Sequence, residues 1–382
     1  MTLAIVNIVS LGFQTMVYMT RLIIPLYAAE LGASTAGIGL LTASYALLPL
    51  FFSVSAGKIV DRVGNRLPTL LGLLGLCAGL ALPFFFSSLW SLCLSQLIVG
   101  IAYIFINVPL QNILGQTATP QNRDHYFGVF SMFVALAGVI GPAVGGYIGE
   151  HLSYSSVFLA AVIAGLIPFA AACRIPKAAN GPKKAVQNET SSLSLLKAPS
   201  LRKALLSSAL VLYSRDIFVA YFPLIAVNFG LSPSAIGWII AIQGITMMAV
   251  RFLLDKLTGS FGRNQVLFGS ILVAGFSFLF VPLTDHVFLL GLISAVMGAG
   301  LGCGQPLSMT TAFNASPPSR TGEVLGLRLA TNRLSQFLAP MLFGLIGTWA
   351  GIVSIFYVSG AFLVGGAFFT KTKSAGVIAV KK

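Results

Sequence analysis

The sequence predicts an all-α membrane protein, with twelve transmembrane helices in two parallel six-helix halves. Three observations carry that reading. Only 8% of the 382 residues are charged and mean hydropathy is +0.92, whereas soluble domains carry about 25% charged residues. Apolar runs of about 18–25 residues, the length that spans a bilayer, recur along the whole chain. The placement of glycine and proline repeats at a spacing of 198 residues.

With Gly, Pro and charge as punctuation, the spans in order are 5–29, 36–59, 68–87, 90–115, 125–149 and 154–174 in the first half. The second half runs 201–228, 235–256, 264–283, 287–312, 322–348 and 351–370. Domain limits follow as 1–175, a linker at 176–200, a second half at 201–373 and a tail at 374–382. The stretch around the linker, residues 174–203, is rich in Lys, Ser, Pro and Gly and reads as flexible.

Charge sets the orientation. Odd-numbered connections carry Glu30, Glu150, His151, Asp285 and His286, and no Lys or Arg. Even-numbered connections and the C-terminus carry Lys58, Arg62, Arg66, Arg123, Arg174, Lys177, Lys183, Lys184, Lys197, Lys256, Arg263, Arg320, Lys371, Lys373, Lys381 and Lys382. The positive-inside rule places both termini in the cytoplasm, and the short loops suit a multi-pass protein of a prokaryotic plasma (inner) membrane. The net charge of +14 is therefore a topology signal rather than a nucleic-acid footprint. No cleavable signal peptide is expected, because the first basic residue, Arg21, lies inside the first apolar run. Cys77, Cys93, Cys173 and Cys303 lack metal-ligand spacing and read as small core residues, so no cofactor or metal is expected.

The repeat is ungapped. Pro25 falls on Pro223, Gly32 on Gly230, Ser34 on Ser232, Gly39 on Gly237, Gly64 on Gly262 and Gly100 on Gly298. Pro120 meets Pro318, Gly128 meets Gly326, Pro142 meets Pro340, Gly146 meets Gly344 and Gly149 meets Gly347. A diverged duplication keeps Gly and Pro because their backbone roles are hard to replace. Parallel halves related by an axis along the membrane normal enclose a midplane site and rock about it, which is transporter architecture.

Between spans 2 and 3 the charges crowd into Gly57-x-x-x-Asp61-Arg62-x-Gly64-x-Arg66. This resembles the signature G-x-x-x-D-[RK]-x-G-x-[RK]-[RK] of the major facilitator superfamily, departing at Leu67. The resemblance implies a breakable cytoplasmic gate against helix 11, which begins near Arg320-Thr-Gly-Glu323. Gly57 permits close approach, and Asp61 suits the positive end of a facing helix. In span 5, Gly128-x8-Ala137-x3-Gly141-Pro142-x-x-Gly145-Gly146 is similar to the superfamily's antiporter signature, departing at Ala137. That likeness implies an exporter or exchanger. Ordinary close helix packing accounts for the same small residues, and Gly141, Gly145 and Gly149 stand four apart for it. The drug-exporter pattern R-x-x-Q-G is not matched by Gln96-Leu-Ile-Val-Gly100.

Charge within a span is costly and marks function. Arg21 lies about 13 Å from the Glu30 end of span 1 at 1.5 Å per residue, and Arg215 and Asp216 sit midway along span 7. Arg333 lies about 20 Å past Arg320 on the same rise. Gln14, Tyr18, Arg21 and Pro25 form one helical stripe. Tyr103, Asn107 and Gln111 form another, and Asn332, Arg333 and Gln336 a third, with Gln305 adding from span 10. In the superfamily spans 1, 4, 7 and 10 line the cavity. Three arginines to one carboxylate favour an organic anion or zwitterion, since guanidinium fits carboxylate and phosphate. Asp216 is the candidate proton carrier; pairing of Arg333 with Asp216 is the structural alternative, and Arg21 has no evident carboxylate partner. Arg328 reads as shallow, snorkelling or serving the gate.

The expectation is a monomeric secondary transporter exporting a small organic anion or zwitterion, with protons as coupling ion and lipid as solvent. A proton-coupled uptake symporter or a broad-range drug efflux antiporter is the alternative. An integral-membrane enzyme needs clustered ionisable groups at one depth, but His125, His151 and His286 lie at span ends. A sensor needs an appended domain.

Overall fold

The computed structural model describes residues 2–117, 123–176, 199–314 and 321–370. Most of the expected linker, the whole tail and Arg320 lie outside them. Regular structure among the described residues is helical throughout. The first half comprises α1 (Thr2–Glu30), α2 (Thr35–Val63), α3 (Arg66–Phe85), α4 (Leu89–Thr117), α5 (Arg123–His151), α6 (Tyr154–Ala164) and α7 (Leu166–Ala172). The second comprises α8 (Pro199–Asn228), α9 (Pro233–Phe252), α10 (Leu254–Phe261), α11 (Arg263–Phe280), α12 (Val287–Asn314), α13 (Thr321–Ala350) and α14 (Ile352–Thr370).

Among the described residues, eleven segments are long and apolar enough to cross a membrane, with α6 and α7 together making one. The twelfth expected span is α13, whose sequence carries Arg328, Asn332, Arg333 and Gln336. Span 6 breaks at Gly165, where a Cβ would lie 2.8 Å from both Met16 and Cys77. Span 8 ends earlier than expected, at Phe252, and the chain turns at Leu253 into the short α10.

The helices expose one belt and bury another. Phe13, Phe158, Tyr221 and Phe278 are fully buried, whereas Phe52, Phe85 and Phe288 face outward, as lipid-solvated helices require. One end of the bundle carries Glu30, Glu150 and Asp285, and the other carries Lys58, Arg62, Arg174 and Arg263; these are the acidic and basic ends below. Trp90, Trp238 and Trp349 all lie near the acidic end and are 85%, 57% and 89% exposed, the placement of an interfacial aromatic belt.

The 198-residue repeat reappears as repeated geometry. Gly32 and Gly230 take φ of +83° and +78°. Each closes its helix with the same pair of bonds: Ala33 N to Ala28 O and Gly32 N to Ala29 O, then Leu231 N to Ala226 O and Gly230 N to Val227 O. A left-handed residue at this position favours glycine, which has no Cβ to clash. The next helix starts on Ser34 or Ser232, whose hydroxyl accepts from the N–H of Gly37 or Ala235.

Glycines also mark helix crossings that the repeat preserves. Inside each half, a Cβ at Gly100 would strike the Tyr45 carbonyl, and one at Gly298 the Gln243 carbonyl. Between halves, Gly39 of α2 abuts the Pro340 carbonyl of α13, and Gly237 of α9 abuts the Pro142 carbonyl of α5. Two hydrogen bonds tie the acidic end across the same contacts. Ala36 N donates to Thr348 Oγ1 at 3.0 Å and Ser234 N to Glu150 Oε2 at 2.9 Å. These too are repeat equivalents, so each half caps a helix N-terminus of the other.

Two expectations are corrected. Lys58, Asp61 and Arg62 lie in the last turns of α2, not in a loop; helix continues until Gly64, which takes φ +88° with its N–H on Val60 O. Of the four cysteines expected in the core, Cys303 is buried and Cys77 and Cys93 are half-buried, but Cys173 is exposed just after α7.

Candidate functional site

Between the halves lies a cavity of about 520 Å³. Kinship of α1 with α8 at the centre of the bundle, where they pack directly, brings Arg21 against Asp216. Arg21 Nη2 donates to Asp216 Oδ1 at 2.6 Å, with the arginine side chain 19% exposed and the aspartate 3%. This corrects the expectation for both residues. Arg21 does have a carboxylate partner, and the carboxylate it holds is the one that the structural alternative paired with Arg333. Arg333 instead donates from Nη1 to Gln336 Oε1 at 2.9 Å, one turn along α13. Asp216 Oδ2 is buried and has no hydrogen-bond partner.

Each of three arginines lies over its own tyrosine. Arg21 stands 5.3 Å from the Tyr45 ring centroid, Arg215 5.2 Å from Tyr18, and Arg333 5.5 Å from Tyr103. Such contacts contribute about 0.5–2 kcal/mol each and hold the guanidinium planes in place. A polar ladder joins the second stripe to the first. Gln14 Nε2 and Asn107 Nδ2 both donate to Tyr103 Oη, at 3.2 and 3.3 Å, and Gln111 Nε2 donates to Asn107 Oδ1 at 3.2 Å. Asn332 faces the cavity and accepts from Ser208 Oγ at 2.9 Å.

Gln14, Tyr18, Arg21, Tyr103, Arg215, Asp216, Arg333 and Gln336 all line the main chamber. Asn107 and Gln111 line an adjoining lobe of about 220 Å³ that runs toward the basic end. The side chain of Gln305 lies outside the described residues. Sequence reasoning missed Tyr45 and Arg251, and misplaced Arg328, which is 6% exposed and lines the chamber instead of reaching the surface. Arg251 sits near the end of its span, where a cation looks interfacial. Its signal was the stripe Gln243, Met247, Arg251, spaced four apart. Five arginines and one carboxylate among the described lining residues leave an excess of four positive charges.

The span-5 glycines serve two neighbours. A Cβ at Gly141 would lie 2.6 Å from Tyr18 Cβ, and Gly145 abuts the Met19 carbonyl, both on α1. Gly146 abuts the Pro233 carbonyl of α9. Ala137 is fully buried, while Gly128 faces open space. At the basic end, no atom of the described residues lies within 4 Å of where a Cβ on Gly57 would stand. Arg62 is exposed, Arg66 half-buried and Gly64 buried; the Asp61 side chain lies outside the described residues. So the acidic end is packed shut between the halves, and Gly57 at the basic end has no neighbour among the described residues.

Several known proteins share this architecture. The nucleoside transporter NupG superposes with a TM-score of 0.84 at 15% identity, over 97% of this chain and 99% of that one. A POT family transporter in complex with 5-aminolevulinic acid superposes at 0.82 with 15% identity, covering 96% and 94%. In sequence, multidrug resistance protein 1 of Bacillus subtilis is 24% identical, over 84% of this chain and 83% of its own. The class H tetracycline resistance protein of Pasteurella multocida is 22% identical, over 86% and 83%. The family model described as Major Facilitator Superfamily matches residues 6–213 and again 204–377. With that double match laid over two repeat-related halves and a shared central cavity, the chain belongs to the Major Facilitator Superfamily, a family of transporters rather than enzymes.

Proposed function

We propose that this protein exports a small organic anion or zwitterion by alternating access, using protons as the coupling ion. The excess of guanidinium over carboxylate in the cavity carries this reading. A wall of arginines attracts and orients carboxylate, sulfonate or phosphate, and repels lipophilic cations. Charge asymmetry between the loops supports placing the basic end in the cytoplasm of the cell, in the plasma (inner) membrane. On that orientation the conformation described above is closed outside, with the site reached from the cytoplasm, as the loading state of an exporter must be.

Asp216 is the proposed proton carrier. As a carboxylate it holds Arg21; once protonated it releases that guanidinium to the substrate or to water. A proton and an anionic substrate thus compete for or share the same arginine, which links the two fluxes. The gate built from Gly57, Asp61, Arg62, Gly64 and Arg66 closes the cytoplasmic side in the other half of the cycle.

The names of the relatives support a second reading, broad-range drug efflux, since they include multidrug and tetracycline resistance proteins. One experiment separates the two. Purified protein is reconstituted in liposomes carrying a pH-sensitive dye, and organic anions, zwitterions and lipophilic cations are added in turn. Proton movement driven by anions or zwitterions, and abolished in Asp216→Asn, is the expected result. Proton movement driven only by lipophilic cations overturns the anion reading in favour of drug efflux, and solute flux indifferent to the pH gradient removes proton coupling.

A further inference from the structure

The lobe beside the main chamber is built differently from the chamber itself. It lies among α1, α4 and α5 of one half and α8 and α9 of the other, and neither Arg21 nor Asp216 borders it. Arg215 and Arg251 border both spaces. Where α5 and α9 face the lobe, their side chains are chiefly apolar: Phe130, Val134 and Ala135 from α5, Met247 and Met248 from α9.

The two arginines have no acid to share. Arg215 rests on the Tyr18 ring. Arg251 donates from Nε to the Gly302 carbonyl at 3.4 Å, which anchors its stem against α12. Its terminal nitrogens are given no protein partner among the described residues. The pair is close enough for Arg215 to act electrostatically on Arg251, and like charges repel most strongly where water is scarce. No carboxylate borders the lobe among the described residues. Two guanidinium groups bordering one lobe, against a polarizable apolar wall, match one ligand chemistry. An acid group relieves the repulsion and fills both donor forks, while methionines adapt to an apolar body.

We infer that Arg215 and Arg251 form an anion subsite for the acid group of an amphipathic organic solute, whose apolar body lies along Phe130, Val134, Met247 and Met248. This rests on the reading of the cavity as an anion site, and adds both the place of the acid group and the apolar character of the rest of the molecule. It also divides labour in the cavity. The acid group is held first between α8 and α9 of the second half, and the neighbouring Arg21, held by Asp216 between α1 and α8, becomes available to it only once Asp216 takes up a proton.

The test uses detergent-purified full-length protein and four probes: 4-phenylbutyrate, its neutral amide, 4-phenylbutylamine and acetate. Apparent Kd is read from the rise in Tm with probe concentration. Phenylbutyrate is expected to stabilise the wild type, with the amide and acetate weaker because each lacks one of the two features. Arg215→Gln and Arg251→Gln each weaken phenylbutyrate by about tenfold or more, the usual consequence of removing one partner of a desolvated charge contact. Arg251→Lys recovers part of the loss, and Arg174→Gln at the exposed basic end changes nothing. If both glutamine variants bind phenylbutyrate as the wild type does, or Arg333→Gln loses more than they do, the subsite is overturned while the anion reading stands. Stabilisation by the amine and not by the carboxylate overturns both. Failure of every probe to stabilise folded wild type overturns the subsite, since a site for amphipathic acids takes the simplest of them.

Discussion

Replacing Gly237 by leucine should force the acidic end of the bundle open. In the closed arrangement a Cβ at this position runs into the Pro142 carbonyl of α5 and stands 3.3 Å from Gly146 Cα. Both obstacles are backbone, so no side chain can rotate aside. Overpacking of this kind costs about 1–3 kcal/mol, and because only the closed state contains the contact, the cost falls on that state alone. A penalty of about 2 kcal/mol shifts the closed-to-open ratio by about 30-fold. The assay is pulsed electron paramagnetic resonance on a variant without native cysteines, spin-labelled at Glu30→Cys and Asn228→Cys. These positions are exposed, repeat-equivalent and one to each half. The parent should show one short distance; Gly237→Leu should transfer most of the population to a longer one. Gly39→Leu, its repeat equivalent against Pro340, should do the same, and Gly128→Ala, which faces open space, should do nothing. An unchanged distance distribution in folded Gly237→Leu would refute the view that this crossing seals the acidic end.

Other consequences follow from named contacts. Asp216→Asn leaves Arg21 without its carboxylate; breaking a buried pair costs about 3–5 kcal/mol, reduced here because the pair borders a cavity that admits water, so Tm should fall by several degrees. Arg21→Met in the same chain should recover part of that fall, and equal Tm values for the single and double variants would deny the pairing. Glu150→Ala removes a charged cap from the N-terminus of α9 and Thr348→Ala a neutral one from α2. Both should raise labelling at the acidic end, Glu150→Ala more and with a stronger salt dependence, since only the charged contact is screened. Gly57→Leu should leave substrate affinity intact, because no atom lies near that position in this conformation. It should slow turnover through failure to close the basic end; loss of affinity instead would mean that Gly57 acts on the site directly.

How much of this was legible in the chain depends on which interactions are local. Hydropathy, end charges and the glycine–proline register are properties of consecutive residues. A bilayer enforces them strictly, because an unpaired backbone group in lipid costs several kcal/mol. Hence the spans, the repeat and the family were readable before any coordinates. The repeat even announced where helices touch, since Gly39, Gly100, Gly237 and Gly298 survive at places where a side chain would strike a neighbouring carbonyl. The stripes through Gln14, Tyr18 and Arg21, and through Tyr103, Asn107 and Gln111, were visible because helical period decides which residues share a face.

Partnership was not visible. Arg21 and Asp216 stand 195 residues apart, and nothing in sequence distinguishes Arg21 from Arg333 as the arginine that meets the carboxylate. Only the packing of α1 on α8 decides it. Likewise Arg328 reads as shallow and Arg251 lies near the end of its span, yet both line the chamber. A single helix knows its own faces; which face meets the cavity is set by the helices packed around it. The sequence by itself therefore determined the helical class, the family and the duplication of the helices. The tertiary structure decided which charges neutralise one another and which remain free for a ligand, because electrostatic pairing depends on distance in space and the chain records only distance along itself.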